Sequence, residues 1–290
     1  MVTAARAVAR GASGMIQNET QVPVETIDEL AARVPDGAQL AVPPDYSGCA
    51  MAAVRALIRR GVKALHLVGV PQVGFQGDML IGAGCVATLE TAALTLGEYG
   101  PAPRFVSAVK SGHLRLKDST CPVIHAGLQA AEKGVPFMPL RGVLGSDLLE
   151  QRDDWRVIDN PYRMTKEQDP IVLLPAIRPD VALFHAALAD RQGNVWIGVR
   201  RELMVMAHAA RTTLVSIEAF TDDDLLADDR LAAGTIPALY VTAIAEAENG
   251  AWPVGLRGCY AADRSHLQRY VEVAATAAGF ARYVDEYVGG

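Results

Sequence analysis

The feature that most constrains the fold of this chain is an alternation of short apolar runs with helical patterns, joined by short turns. Residues 38–42 form an apolar run. Residues 49–60 carry apolar side chains at helical spacing and stop at Gly61, a residue type that commonly follows a helix C-terminus. Residues 64–70 (ALHLVGV) read as a buried strand. Strand, helix and strand with short connections predict an α/β fold, in which helices flank a mainly parallel sheet.

The same alternation continues to the end of the chain. Further helices are predicted at residues 25–34, 101–110, 122–133, 202–210, 263–277 and 280–287. Further strands are predicted at residues 135–140, 171–176, 181–185 and 213–218, with another apolar run at 239–245. The polar residues 148–169 are interpreted as a long excursion rather than a domain boundary. We therefore predict a flexible N-terminus at residues 1–22 and a single domain over residues 23–290.

The composition of the chain limits which kinds of partner we expect it to bind and in which cellular compartment we expect it. The 290 residues are 50% hydrophobic and 21% charged, which is ample apolar surface for a core. A net charge of -6 provides no basic face for a nucleic acid or an anionic membrane, so neither is expected as a partner. No uninterrupted apolar run approaches the roughly 18 residues that a membrane helix needs, and residues 1–17 do not read as a signal peptide. We expect a cytoplasmic protein.

The cysteines and histidines do not form a recognisable metal-binding or disulfide pattern. Cys49, Cys85, Cys121 and Cys259 lie far apart, which favours free thiols in a reducing compartment. None of the six histidines has the spacing of a metal ligand set, so they are interpreted as structural and no metal site is predicted.

Three segments have a residue order specific enough to compare with known families. Residues 178–196 (RPDVALFHAALADRQGNVW) join a buried strand to a tight turn in which Gly193 can adopt a positive φ. Residues 125–148 (HAGLQAAEKGVPFMPLRGVLGSDL) contain a helix followed by a proline-stiffened stretch. Residues 67–79 (LVGVPQVGFQGDM) place glycines after a buried strand. Together these segments resemble the α subunits of heteromeric family I coenzyme A transferases, and the resemblance covers most of residues 36–290.

The resemblance implies a fold, a reaction and a partner. It implies the CoA-transferase α/β fold and the movement of CoA between carboxylic acids, with acyl-CoA as a substrate and no permanently bound cofactor. Family enzymes form a glutamyl-CoA thioester, which divides one difficult acyl transfer into easier steps. The glutamate belongs to a β-type subunit, so the resemblance implies an assembly such as α2β2 and a chain that is inactive alone.

The segment 67–79 supplies the first group of candidate substrate-binding residues. Ligands bind beyond the carboxyl ends of strands in open α/β sheets, which is where this segment would lie. Gly69 and Gly74 would let backbone amides approach a ligand, and Gln72 and Gln76 would donate hydrogen bonds to a thioester oxygen.

Residues of the proline-stiffened stretch form the second group. Pro136 and Phe137 would shape a wall for the ligand, and Arg141 would anchor the substrate or a partner subunit, with Asp147 as its ion-pair partner.

The chain offers few candidates for a catalytic acid or nucleophile. Glu98 lies close to where relatives place an acid and is our candidate catalytic residue, with the main nucleophile expected on the partner. Glu248 lies in an AENG string, but its position fits a polar turn better than a nucleophile. Asp118 and Cys121 lie near the register at which similar ring-opening hydrolases place a catalytic glutamate.

One departure from the family pattern leaves alternatives open. Where family members carry a Gly-Gly-Phe-Gly-like loop, this chain has AVPPDYSGCAM at residues 41–51, which remodels a loop near the acyl site. The acyl group is therefore not predicted. A CoA-thioester hydrolase of the steroid-ring-opening type is the alternative enzyme, and a non-catalytic ligand-sensing domain is the alternative of another class.

Overall fold

The computed structural model describes residues 22–164 and 167–289. The segment predicted to be a flexible N-terminus therefore lies outside the described residues, except for the buried Val22. Within the described residues no helix is both long and apolar enough to cross a membrane.

A twisted mainly parallel sheet forms the centre of the molecule and confirms the predicted fold class. Its parallel strands occur in the order β1-β13-β11-β9-β2-β3-β4-β5. Their bounds are β1 Val24–Glu25, β2 Gln39–Val42, β3 Leu65–Gly69, β4 Val86–Thr91, β5 Arg115–Asp118, β9 Val181–Asp190, β11 Thr212–Thr221 and β13 Ala243–Glu246. The short strands β10 (Val195–Trp196) and β12 (Thr235–Ile236) add an antiparallel extension beside β9.

Helices cover both faces of this sheet. The described helices are α1 Ile27–Ala32, α2 Met51–Arg60, α3 Phe75–Gly82, α4 Pro103–Lys110, α5 Cys121–Glu132, α6 Leu148–Gln151, α7 Arg201–Ala209, α8 Arg264–Val273 and α9 Ala277–Tyr287. One core contains Leu40 and Leu67 from the sheet and side chains of α1, α2, α3, α8 and α9. The other contains Val68 and Phe184 with side chains of α5 and α7. Adjacent residues of the central strands, such as Leu67 and Val68 of β3, thus enter opposite cores, as a sheet buried on both faces requires.

A second, smaller sheet corrects the prediction for two strands. The predicted strands at residues 135–140 and 171–176 exist as β6 (Phe137–Leu140) and β8 (Pro170–Pro175), but they do not join the main sheet. They pair antiparallel with each other, and β7 (Arg156–Asp159) from the polar excursion pairs with β8. This sheet packs on α5. Val123 of α5 enters the small core beneath this sheet, while Ile124 enters the core that contains Val68 and Phe184.

Several elements of the main layers were not predicted, among them α3, β4 and β5. Residues 75–79 were expected to be loop but begin α3, whose side chains are buried on every side from Phe75 to Ile81 and so show no amphipathic period. Strand β4 (VATLET) is only partly apolar, and the edge strand β5 (RLKD) is polar. By contrast, α2 ends at Gly61 in the left-handed conformation (φ 71°), as its sequence indicated.

Candidate active site

A cavity of about 620 Å³ lies beyond the carboxyl ends of the parallel strands. Its walls come from the segments that follow β2, β3, β4 and β13, together with residues of α8. The apolar part of the wall includes Val73, Phe75, Leu96, Val254, Leu267 and Val271. This is the crevice in which open α/β sheets bind ligands, and its apolar wall with a few polar groups is typical of a small-molecule site.

Of the four substrate-binding residues predicted in the glycine segment, two line this cavity and two support it from behind. Gln72 and Gly74 are lining residues. Gly69 ends β3, where a side chain would collide with the Thr91 hydroxyl at 2.5 Å. Gln76 is fully buried, and its amide donates to the Pro43 carbonyl oxygen and approaches the Cys49 thiol at 2.9 Å. Gly69 and Gln76 thus hold the shape of the site rather than face the cavity.

The remodelled loop after β2 contributes Asp45, which the sequence did not single out. Its carboxylate accepts a hydrogen bond from the Phe75 amide at 2.9 Å, at the start of α3. Burial raises the pKa of Asp45 to about 6, against the lowering effect of the Phe75 amide and the Cys49 thiol. A Cβ atom at Gly74 would lie 2.1 Å from the Asp45 Oδ2 atom. Gly74 therefore leaves room for the contact that joins this loop to α3.

Glu98, the candidate catalytic acid, is exposed on a short 3-10 turn and lines the same cavity. Glu248 is also exposed, and its side chain forms no hydrogen bond or ion pair with a described residue. Asn249 next to it has a left-handed backbone (φ 54°), which agrees with the predicted turn.

The second predicted group lies elsewhere in the molecule. Pro136, Phe137 and Arg141 lie on or beside β6 in the small sheet, and none is among the cavity's lining residues. Phe137 is 44% exposed. Arg141 forms an ion pair with Asp169 rather than with Asp147.

A smaller cavity of about 180 Å³ adjoins the first, since both are lined by Tyr46, Arg200 and Arg257. Its wall also contains Ser47, His185 and Trp196. The Arg200 guanidinium carbon lies 5.2 Å from the centre of the Tyr46 ring, a cation–π distance.

A buried hydrogen-bond network supports the junction between the two cavities. Glu218 on β11 accepts hydrogen bonds from His185 Nε2 at 2.7 Å, the Tyr260 hydroxyl at 2.6 Å and the Asn249 amide at 2.8 Å. The Gly250 amide also donates to it, at 3.2 Å. Burial alone would raise the pKa of Glu218, but these hydrogen bonds lower it to about 2. Sequence spacing could not reveal this network, because its members come from four separate segments.

A buried cluster of charged side chains joins the main sheet to the polar segment 148–169. Glu90 on β4 is 2% exposed and contacts Arg152 Nη2 at 2.7 Å and His66 Nε2 at 3.0 Å. Lys117 and Asp154 complete the cluster, at 2.9 Å from each other. Asp118 ends β5 beside it, with its carboxylate bonded to the Ser119 amide, while Cys121 begins α5 and is exposed. In the part of the chain that the structure describes, no group of three or more Cys, His, Asp or Glu side chains is arranged to hold a metal ion.

Comparisons with known proteins identify the family. The Coenzyme A transferase family model matches residues 24–247, and the chain belongs to this family. It is 32% identical over 247 residues to the A-type subunit of the 3-oxoadipate CoA-transferase of Pseudomonas knackmussii, a match that covers 82% of this chain and 83% of that protein. The fold is similar to that of glutaconate coenzyme A-transferase from Acidaminococcus fermentans, with a TM-score of 0.83 at 28% identity over 91% of this chain and 88% of the other. The predicted resemblance is confirmed.

Two further relatives limit what family membership implies. The cholesterol ring-cleaving hydrolase IpdA subunit of Rhodococcus jostii is 29% identical over 249 residues, covering 83% of this chain and 82% of that protein. An uncharacterized protein of Archaeoglobus fulgidus is 30% identical over 238 residues, which are 81% of this chain. The match spans only about half (52%) of that relative's length. Transferases and a hydrolase thus share this scaffold.

Proposed function

We propose that this chain is the A-type subunit of a two-subunit CoA-transferase and that it binds the acyl part of an acyl-CoA in the 620 Å³ cavity. The observation that carries the proposal is the position of this cavity, at the carboxyl ends of the parallel strands and within the family-matched residues. The relatives that are named as A-type subunits of CoA-transferases support it.

The reaction requires a carboxylate nucleophile on the partner subunit. A glutamate oxygen of the partner attacks the thioester carbonyl carbon, the C–S bond breaks, and CoA leaves as a thiolate with a mixed anhydride remaining. The thiolate then attacks the glutamyl carbonyl carbon, which releases the first acid as a carboxylate and leaves an enzyme thioester. A second carboxylic acid reverses these steps and leaves as the new acyl-CoA.

The described residues of this chain supply the shape of the site rather than the nucleophile. The carboxylates that line the main cavity are Asp45 and Glu98. Asp45 accepts a hydrogen bond from the Phe75 amide at the start of α3, and we assign it a structural role there. Glu98 stands at the cavity and is proposed to act on the substrate or on a proton there, while Gln72 would hydrogen-bond the thioester oxygen. The contact roles of Pro136, Phe137 and Arg141 stay predictions, as does the α2β2 stoichiometry.

The proposal is tested by locating the covalent intermediate. The chain and a β-type subunit of the same organism would be purified together, incubated with an acyl-CoA and treated with borohydride, and each polypeptide would be weighed by intact mass spectrometry. We expect a stable change of mass on the partner alone, caused by reduction of its glutamyl thioester. The same modification on this chain, lost in Glu248→Ala, would show that the AENG string is the active site after all.

Hydrolysis on the same scaffold is the second candidate, favoured by the similarity to the IpdA hydrolase subunit. If the protein is a hydrolase, Asp118 at the end of β5 is the first candidate for its catalytic acid. A hydrolase releases free CoA when no acceptor acid is present, whereas a transferase exchanges CoA between two acids by ping-pong kinetics. The ratio of these two rates in the paired protein separates the candidates.

A further inference from the structure

The junction of the two cavities holds two positive charges without a negative partner. Neither the Arg200 nor the Arg257 guanidinium forms an ion pair with a described residue, and the Nε atom of Arg200 is buried with no hydrogen-bond acceptor. A buried guanidinium donor without an acceptor is costly, since burial removes the water that would otherwise bond it. Both side chains line both cavities. An anion at the junction would satisfy them.

The smaller cavity is the side of the junction that suits an anion. Among the described residues that line it, Arg200 and Arg257 are the only fully charged ones, and none is Asp or Glu. The main cavity, in contrast, carries Asp45 and Glu98. The carboxylate of Glu202 on α7 is bonded to the Ser47 hydroxyl, and that of Glu218 is bonded to His185 and Tyr260. The charge balance thus favours an anion in the smaller cavity.

The fold holds Arg257 in place for such a contact. Arg257 lies in a tight turn. In this turn the backbone amides of Leu256 and Tyr260 each donate a hydrogen bond to the other residue's carbonyl oxygen, at 3.0 Å. The Tyr260 hydroxyl in turn donates to Glu218. Because this turn is attached to β11 through Glu218, the position of the guanidinium depends on the sheet.

We propose that Arg200 and Arg257 form a carboxylate-binding subsite, so that the acyl groups accepted by this chain are those that carry a second carboxylate at the far end. A volume of about 180 Å³ suits a short carboxylate-bearing chain, whereas the nucleotide of CoA is too large for it. Arginine binds carboxylates through paired N–H donors, which gives both charge and orientation. This inference rests on the proposed function, since it assigns the substrate class of the same site.

The subsite is tested first by binding, without any need for turnover. Glutarate, pentanoate, inorganic phosphate and CoA would each be titrated into the full chain by calorimetry. Glutarate and pentanoate have the same number of carbons and differ by one carboxylate. We expect glutarate to bind at least about tenfold more tightly, and Arg257→Gln and Arg200→Gln each to remove the difference. Arg201→Gln is the matched control, because Arg201 is exposed and lines neither cavity.

Several outcomes would overturn the proposal. Equal binding of glutarate and pentanoate by the parent chain would do so, as would variants that weaken only phosphate or CoA, which would assign the arginines to a phosphate instead. Arg200 precedes α7, so circular dichroism would check the folding of its variant. Arg257 lies on an exposed turn, and its variant decides the matter if the Arg200 variant fails to fold.

Turnover separates this inference from the proposed function. In the paired protein, Arg257→Gln should lower kcat/KM for glutaryl-CoA at least about tenfold more than that for pentanoyl-CoA. A pair that exchanges CoA with neither thioester would contradict the proposed function, while the binding titrations would still judge the subsite. Equal losses with both thioesters would contradict the subsite alone.

Discussion

At the scale of single residues, the Glu218 carboxylate joins His185 and Tyr260, which line the smaller and the main cavity. Four donors converge on it, and they come from β9, the turn after β13 and the loop that carries Tyr260. Gly250 is part of this arrangement, because a Cβ atom there would lie 2.5 Å from the His185 ring. The geometry depends on an ionised carboxylate, which only accepts hydrogen bonds.

Replacing this carboxylate should lower stability in a pH-dependent way. Glu218→Gln places an amide nitrogen, which can only donate hydrogen bonds, among four hydrogen-bond donors. We expect this change to lower the free energy of unfolding by about 1–3 kcal/mol at pH 7. The folded pKa of about 2 lies below the ordinary value of 4.5, so the ionised group stabilises the fold above that value. This contribution is lost as the pH falls from about 4.5 towards 2.

Urea unfolding at several pH values measures the effect. The difference between the parent and Glu218→Gln should shrink on acidification below pH 4.5. Glu248→Gln is the control, since the exposed Glu248 should tolerate the same change within about 0.5 kcal/mol. A difference that stays constant with pH would show that the carboxylate's charge is unimportant.

Sequence reasoning found the local residues of the site but not the long-range network. Gln72 and Gly74 could be identified because they lie in a segment that follows a predicted strand, and Glu98 because it lies close to where relatives of the family place an acid. His185 and Glu218 are separated by 33 positions and meet only because β9 and β11 are parallel neighbours. No local pattern contains that pairing, so His185 could not be distinguished from the other histidines before the fold was known.

At the scale of elements, the loop after β2 and helix α3 form one unit. The Asp45 carboxylate bonds the first amide of α3 and so occupies a donor that a helix N-terminus leaves free. The close approach requires glycine at position 74. The wall of the main cavity therefore depends on one carboxylate–helix contact.

A methyl group at Gly74 should break this unit. In Gly74→Ala the Asp45 side chain must move away from the Phe75 amide or the loop must shift, and we expect a loss of about 1–3 kcal/mol in the free energy of unfolding. Gly142→Ala is the control, because a Cβ atom there meets nothing within 4 Å. Denaturant unfolding compares the two variants. A Gly74→Ala protein as stable as the control would contradict the close packing described here.

The elements differ in how clearly the sequence specified them. Helix α2 could be predicted because it has one apolar face and a glycine stop, and β9 because it is a long apolar run. Helix α3 is buried all round, so it lacks the period that identifies a helix. The strands β6 and β8 were recognised as strands, but their partners depend on tertiary packing that no local pattern encodes.

At the scale of the whole molecule, the Glu90 cluster joins the main sheet to the small antiparallel sheet. Arg152 precedes β7, yet its guanidinium bonds Glu90 on β4 and the carbonyl oxygen of Asp118 at the end of β5. Burial favours the neutral form of Glu90, but contacts with His66 and Arg152 lower its pKa overall. The attachment of the small sheet thus depends on a buried charge pair.

Removing one partner of this pair should be costly. In Arg152→Ala the Glu90 carboxylate stays buried without its main partner, and we expect a loss of about 3–5 kcal/mol in the free energy of unfolding. Arg230→Ala is the control, because Arg230 pairs with Asp228 on the surface, where screening by solvent makes such a pair weak. Thermal and urea unfolding give both values. If Arg152→Ala cost no more than Arg230→Ala, Glu90 would not depend on this contact.

The central claim is that this chain carries the acyl-binding half of an active site that a partner subunit completes. The most direct measurement is the rate of CoA exchange between an acyl-CoA and a labelled carboxylic acid, with the isolated chain, the isolated β-type partner, and both together. We predict exchange only in the mixture, and a lower rate with Glu98→Gln than with the parent chain. Exchange by the isolated chain at the rate of the mixture would contradict the account.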